Sequence, residues 1–198
     1  LSTVAKQMRY RTYVIESRLV LRDRRQQLHN ARLYLVTSPS DRLLETVEAA
    51  LAGGLRLVQY RAKDGDDRTR WQEAQALRDL CTQYGALFLV NDRVDLALAV
   101  GADGVHVGQQ DLPLALVRQL LGPDRLLGCS TTNPQELALA LAADPAILPD
   151  YVGVGPVYET PTKPGKAAAG FDYIRYAQAH CPIPWLSLIH ISEPTRPY

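Results

Sequence analysis

At 198 residues, 46% hydrophobic and 22% charged, the chain is long enough for one large core and too apolar to be a disordered or fibrous protein. No stretch approaches 18 consecutive apolar residues, and the start carries no charged-then-apolar leader pattern, which excludes a spanning helix and points away from secretion. The net charge of +1 hides an asymmetry: residues 1–32 hold eight Lys or Arg against two carboxylates, while the remainder is net acidic.

Residues 1–31 read as a basic helical arm. Val4, Met8, Ile15 and Leu19 fall on one helical stripe and the rest is basic and Gln-rich, so the arm looks like a helix belonging to something upstream. A basic face could meet nucleic acid, but no aromatic interleaving supports that, and a solvated face or domain junction is expected instead.

From residue 32 onward short apolar runs alternate with helical patterns. The predicted strands are LYLVTS (33–38), LRLVQYR (55–61), ALFLVND (86–92), GVHVG (104–108), LLGCS (126–130) and YVGVGPV (151–157), with a seventh starting at Pro184. Near-continuous apolar runs suit parallel strands covered on both faces. Between the first two, Leu43, Leu44, Val47, Ala50 and Leu51 mark a helical face stopped by Gly53-Gly54. Trp71, Ala74, Leu77, Cys81 and Tyr84 do the same before Gly85. Asn133-Pro134 starts another helix, as N-cap and first helical residue. This repetition predicts an α/β fold with a parallel sheet. The pattern alone fits an open sheet or a closed barrel. Polar residues after several different strands favour a TIM (β/α)8 barrel, where such ends converge on one face.

Those polar residues are the candidate site. Gln59, Arg61 and Lys63 alternate onto one face of a strand end, and two cations with an amide make a cradle for a phosphate. Asn91-Asp92 and Asp111 follow the next two strands. Few carboxylates completed by phosphate oxygens and water is how magnesium is held, although either Asp alone would as readily form a turn or cap. Ser130 could meet a phosphate or cap the next helix. Thr160, Pro161, Thr162 and Lys163 follow the small-residue run Gly153-Val154-Gly155-Pro156, which lets backbone approach a ligand. His106, inside the fourth predicted strand, is expected to be a packed, hydrogen-bonded residue. Cys81, Cys129 and Cys181, odd in number and far apart, suit free thiols in a reducing compartment. The sequence has no metal-binding His/Cys spacing, nucleophilic triad or P-loop.

QYRAK (59–63), NDRVDLALAVGADGVHVGQQDLP (91–113), GCS (128–130) and DYVGVGPVYETPTK (150–163) together resemble the thiamine-phosphate synthase family, over roughly Leu33 to Trp185. The resemblance implies a TIM barrel. It implies a cytoplasmic transferase of thiamine biosynthesis, which condenses 4-amino-2-methyl-5-(diphosphooxymethyl)pyrimidine with a thiazole phosphate, releasing pyrophosphate. Carried over, Gln59, Tyr60, Arg61, Ala62 and Lys63 bind the pyrimidine pyrophosphate with Asn91 alongside. Asp92 and Asp111 hold Mg2+, Ser130 and Lys163 contact the pyrophosphate, and Thr160 to Thr162 line the thiazole side. Ser130, Arg61 and Lys63 are the expected catalytic residues. The implied partners are these small molecules, with no nucleic acid or membrane, and a homo-oligomer is compatible. Two rivals remain: a thiazole tautomerase, whose histidine near the fifth strand is replaced here by Thr131, Thr132 and Asn133, and a non-catalytic barrel binding thiamine precursors.

Two departures are expected to matter. The stretch RDRRQQLHNARLYLVTSPS is similar to the junction in synthases with an N-terminal helical extension, a form of cyanobacteria-like sequences. At the other end SLIHISEPTRPY replaces the family's diglycine phosphate loop and eighth strand and resembles adaptor read-through. The expected division is therefore a 1–31 arm, an incomplete barrel over 32–186 and a non-native tail over 187–198.

Overall fold

The computed structural model describes residues 3–142, 144–145, 147–158 and 168–187. It divides into two compact units, residues 1–107 with 111–127, and residues 108–110 with 128 onward.

In the first unit, strands β1 (Leu35–Val36), β2 (Leu57–Tyr60), β3 (Leu87–Asn91) and β4 (Gly104–Val107) lie parallel in chain order. Strand β5 (Leu126–Thr131) begins beside β4, where the Leu126 amide donates to the Asp103 carbonyl at 2.8 Å. Every residue of β2 and β4, and Leu87 to Val90 of β3, is buried. That two-sided burial explains why these strands read as unbroken apolar runs and not as alternations. All the expected strands are present. The first is shorter than its apolar run, two residues in place of six, with Leu33 66% exposed.

Helix α2 (Leu43–Ala52) buries Leu43, Val47 and Leu51, and α3 (Asp67–Gln83) buries Ala74, Leu77 and Cys81. Both are amphipathic as their spacing predicts. Leu44 and Trp71, assigned to those faces, are instead 43% and 46% exposed. Leu44 sits ~100° around the helix from Leu43, at the margin of the stripe. Asp66 caps α3 by accepting from the Thr69 amide at 3.0 Å, a bond that fixes where the helix begins. Short helices α4 (Val94–Ala99) and α5 (Leu114–Leu121) complete this unit's alternation.

The arm is a single helix, α1 (Thr3–Asn30). Its predicted stripe of Val4, Met8, Ile15 and Leu19 is exposed, and Ser17 and Leu28 on another face are buried. One of its basic residues is not solvated. Arg24 Nε donates to Asp103 Oδ1 at 3.0 Å and its Nη1 to the Asp124 carbonyl at 2.7 Å. Arg78 Nη1 and the Phe88 amide meet Asp103 Oδ2 at 2.7 and 2.9 Å.

In the second unit β5 continues parallel to β6 (Tyr151–Val154), which pairs with β7 (Trp185–Ser187). Helix α6 (Pro134–Leu141) starts as predicted: Asn133 accepts from the Glu136 amide at 2.9 Å, and Glu136 reaches back to the Thr132 amide at 2.7 Å. This reciprocal cap satisfies two otherwise orphaned donors. Helix α7 (Gly170–His180) buries Tyr173 and Ala177. The Tyr173 hydroxyl donates to Thr131 Oγ1 at 2.6 Å. No described helix is long and apolar enough to cross a membrane.

Candidate functional site

Three adjacent strands of the first unit, β2, β3 and β4, each release a polar residue just past their carboxyl ends. Asn91 ends β3, and Asp92 follows it in a tight turn closed by the Arg93 amide on the Asn91 carbonyl at 2.7 Å. Asp92 has φ of 61°. A left-handed non-glycine residue is uncommon, and Asp is among the few types that tolerate it. The conformation is locked from both sides, since the Asp92 amide also donates to the His106 carbonyl at 2.8 Å. A backbone held in so sparsely populated a conformation at a strand end marks a candidate functional position.

The turn aims Asp92 at Asp111. Burial, a hydrogen bond with the Asp111 carboxylate and that group's negative charge together push Asp92 up to about 6. The Lys63 ammonium and a hydrogen bond from Asn91 pull the other way without cancelling the rise. Two carboxylates at this range in a half-buried place disfavour each other's charge. A divalent cation between them would remove that penalty. Among the described residues no group of three or more His, Cys, Asp or Glu comes together. The pair nevertheless fits magnesium, a cation that takes one or two protein carboxylates and leaves its other positions to phosphate and water.

The remaining candidates distribute as follows. Gln59 is buried, and its amide donates to the Tyr34 hydroxyl. The Tyr34 ring in turn meets the buried His106 edge-on, with centroids 6.4 Å apart. The Arg61 amide donates to Thr37 Oγ1 at 3.0 Å, which ties the chain leaving β2 to the chain leaving β1. Lys63 is exposed beyond β2, and Ala62 is half-buried. Tyr60 points elsewhere: its side chain is buried and its hydroxyl donates to Glu73 of α3 at 2.5 Å. In the second unit Ser130 is buried on β5, and its carbonyl accepts from Gln109 Nε2 at 2.6 Å. Thr160, Pro161, Thr162 and Lys163 lie outside the described residues, as does the tail beyond Ser187.

Sequence reading overlooked Tyr34, Thr37 and Glu73, each of which partners a candidate. Thr37 was the most legible, being the first hydroxyl after an apolar run that ends at a strand terminus. The free thiols Cys81 and Cys129 are buried, which pushes each up to about 12. They are poor nucleophiles.

A parallel α/β chain with its polar cluster just past the carboxyl ends of adjacent strands is of the class that binds ligands there. The family described as thiamine monophosphate synthase matches residues 33–193, and the chain belongs to that family. A thiamine-phosphate synthase of Synechocystis sp. is 62% identical over 183 residues, covering 92% of this chain and 52% of the relative. That of Thermosynechococcus vestitus is 60% identical over 191 residues, covering 95% and 53%. The chain thus spans about half the length of these curated relatives. Among solved structures, a thiamine phosphate pyrophosphorylase from Pyrococcus furiosus superposes with a TM-score of 0.72 at 32% identity, covering 85% of this chain and 78% of that one.

Proposed function

We propose that this chain carries the catalytic domain of a thiamine-phosphate synthase, a cytoplasmic transferase joining 4-amino-2-methyl-5-(diphosphooxymethyl)pyrimidine to a thiazole phosphate. The seven described strands from residue 32 onward then belong to a (β/α)8 barrel, with 1–31 as an arm outside it. The observation that carries the reading is the Asp92–Asp111 pair with Lys63 and Asn91 beside it, in a chain whose relatives bear that name.

The chemistry asks little of acids and bases. Diphosphate departs from the pyrimidine's methylene carbon, and the thiazole nitrogen, which has no proton to lose, attacks there. What the protein must supply is positive charge at the leaving group and a fixed approach for the nitrogen. Lys63 and Arg61 supply charge from the loop after β2. Gln59, Ala62 and Asn91 form the pyrimidine side, with the Gln59 amide oriented by Tyr34; Tyr60, which the resemblance also places there, is turned to Glu73 of α3 instead. Asp92 and Asp111 hold Mg2+, which when bound neutralises the leaving diphosphate. Ser130, with Thr160, Pro161, Thr162 and Lys163, keeps the phosphate and thiazole contacts that the resemblance gives it, an assignment resting on the resemblance alone.

Incubating the full-length protein with both substrates and Mg2+ tests this. Thiamine phosphate and pyrophosphate should form in equal amounts, and chelation should stop the reaction. Isomerisation of the thiazole alone would favour the tautomerase reading, and binding without turnover would favour a non-catalytic barrel. Thr131, Thr132 and Asn133, where the tautomerase would need an imidazole, are occupied with the Gly153 carbonyl, Tyr173 and the α6 cap.

A further inference from the structure

Lys63 and Asp92 stand on different loops, after β2 and after β3, and three side chains outside the carboxylate pair link those loops. Arg70, in the first turn of α3, donates through Nη2 to the Lys63 carbonyl at 2.8 Å and through Nη1 to Asp67 Oδ1 at 2.8 Å. That same Asp67 oxygen accepts from Arg93 Nη1 at 2.9 Å. Arg93 grips Asp95 with its other two nitrogens at 2.8 and 2.6 Å, and its backbone amide closes the turn that carries Asp92. One carboxylate oxygen therefore bridges the guanidinium that holds the Lys63 loop and the guanidinium that follows Asp92.

The cost of this arrangement is visible. Arg70 Nε is buried without a hydrogen-bond partner among the described residues, so its Nη contacts must offset that loss. The two arginines hold the Asp67 carboxyl below the ordinary carboxylate range, Arg93 having the larger effect. Without Asp67's charge two guanidiniums would face each other across the gap between the loops. Exposed ion pairs add little to global stability, and Asp67 is 71% exposed. The bridge is better suited to fixing geometry than to holding the fold.

We propose that Asp67, by bridging Arg70 and Arg93, positions Lys63 against the Asp92 turn and so sets the affinity for a diphosphate with its divalent cation. The inference rests on the synthase reading. Asp67, Arg70 and Arg93 are positioning residues, since they act through the loops that carry Lys63 and Asp92.

The test is calorimetric titration of the full-length protein with inorganic pyrophosphate in excess Mg2+. Asp67→Asn should weaken binding about tenfold, the usual scale for losing a group that orients a metal site, with a melting temperature within about 2 °C of wild type. Asp67→Glu should recover most of the loss. Arg93→Met should match Asp67→Asn, and the double variant should bind no worse than the weaker single, because both changes cut one link. Asp172→Asn, which breaks a comparable exposed pair with Arg175 on α7, should leave binding unchanged. If wild type binds and Asp67→Asn binds equally well, or if the two losses simply add, the positioning role is wrong and the synthase reading stands. If wild type itself fails to bind pyrophosphate with Mg2+, both fall.

Discussion

The Asp92 carboxyl faces that of Asp111 at hydrogen-bonding range, and burial together with this neighbour lifts Asp92 from its ordinary 3.8 to about 6. Between those two values the native Asp92 keeps a proton that the unfolded chain has released. The native state then binds more protons, so this group's contribution to stability falls as pH rises through the window. The drop is on the order of 2–3 kcal/mol, and the curve is flat above it. Magnesium affinity should move the opposite way, rising across the same window as the pair ionises. Urea denaturation of the metal-free protein from pH 4 to 8, wild type against Asp92→Asn, isolates this group. A difference that does not change with pH would contradict it.

Asp92→Asn itself separates the cost of the pair from its use. Asn shares Asp's tolerance of the left-handed conformation, so the turn survives while the buried charge disappears. Metal-free stability at pH 8 should rise by ~1–3 kcal/mol. Magnesium should cease to raise the melting temperature, and thiamine phosphate formation should fall by at least ~100-fold. A variant that kept both its magnesium-dependent stabilisation and its turnover would remove Asp92 from the metal site.

How far the sequence reveals this site depends on the range of the contacts. The strands were readable because apolar runs record two-sided burial locally, and the Asn133-Pro134 start because a cap is a four-residue event. Lys63, Asn91, Asp92 and Asp111 could be grouped because each follows a neighbouring parallel strand, and topology gathers strand ends without further detail. The left-handed turn at Asp92 was not readable, since no glycine marks it and its locks come from Arg93 and His106. Nor was the partner of Tyr60 readable within QYRAK. Its partner Glu73 lies on the following helix, and alternation alone gives the opposite face without naming what waits there.

Gly128 carries a packing prediction. A Cβ built on it would land within the Tyr151 ring, which is fully buried across the β5–β6 pair. The ring is fully buried and can withdraw only by displacing what packs against it, so Gly128→Ala should destabilise by ~2–4 kcal/mol, at or somewhat above the usual range for forcing a group into a packed core. Adding Tyr151→Val, which removes the obstructing ring, should recover part of that loss in thermal denaturation. If Gly128→Ala melted like wild type, the close approach would be wrong.

Within the first unit, one carboxylate ties the arm to a helix and to the sheet. Asp103 is 6% exposed and accepts from Arg24 of α1, from Arg78 of α3 and from the Phe88 amide of β3. Arg24 and Asp103 are 79 residues apart in sequence, which is why Arg24 read as one solvated cation among several. Removing the shared acceptor strands two guanidiniums and a buried amide together, so Asp103→Ala should cost ~3–5 kcal/mol. Arg24→Met leaves Asp103 still paired with Arg78 and should cost less, ~1–2 kcal/mol. It should also loosen α1 selectively, raising amide exchange in residues 17–28 while β2 and β3 stay protected. Uniform exchange throughout the unit would mean that the helix and the sheet unfold as one, and that Arg24 is not the point at which the arm lets go.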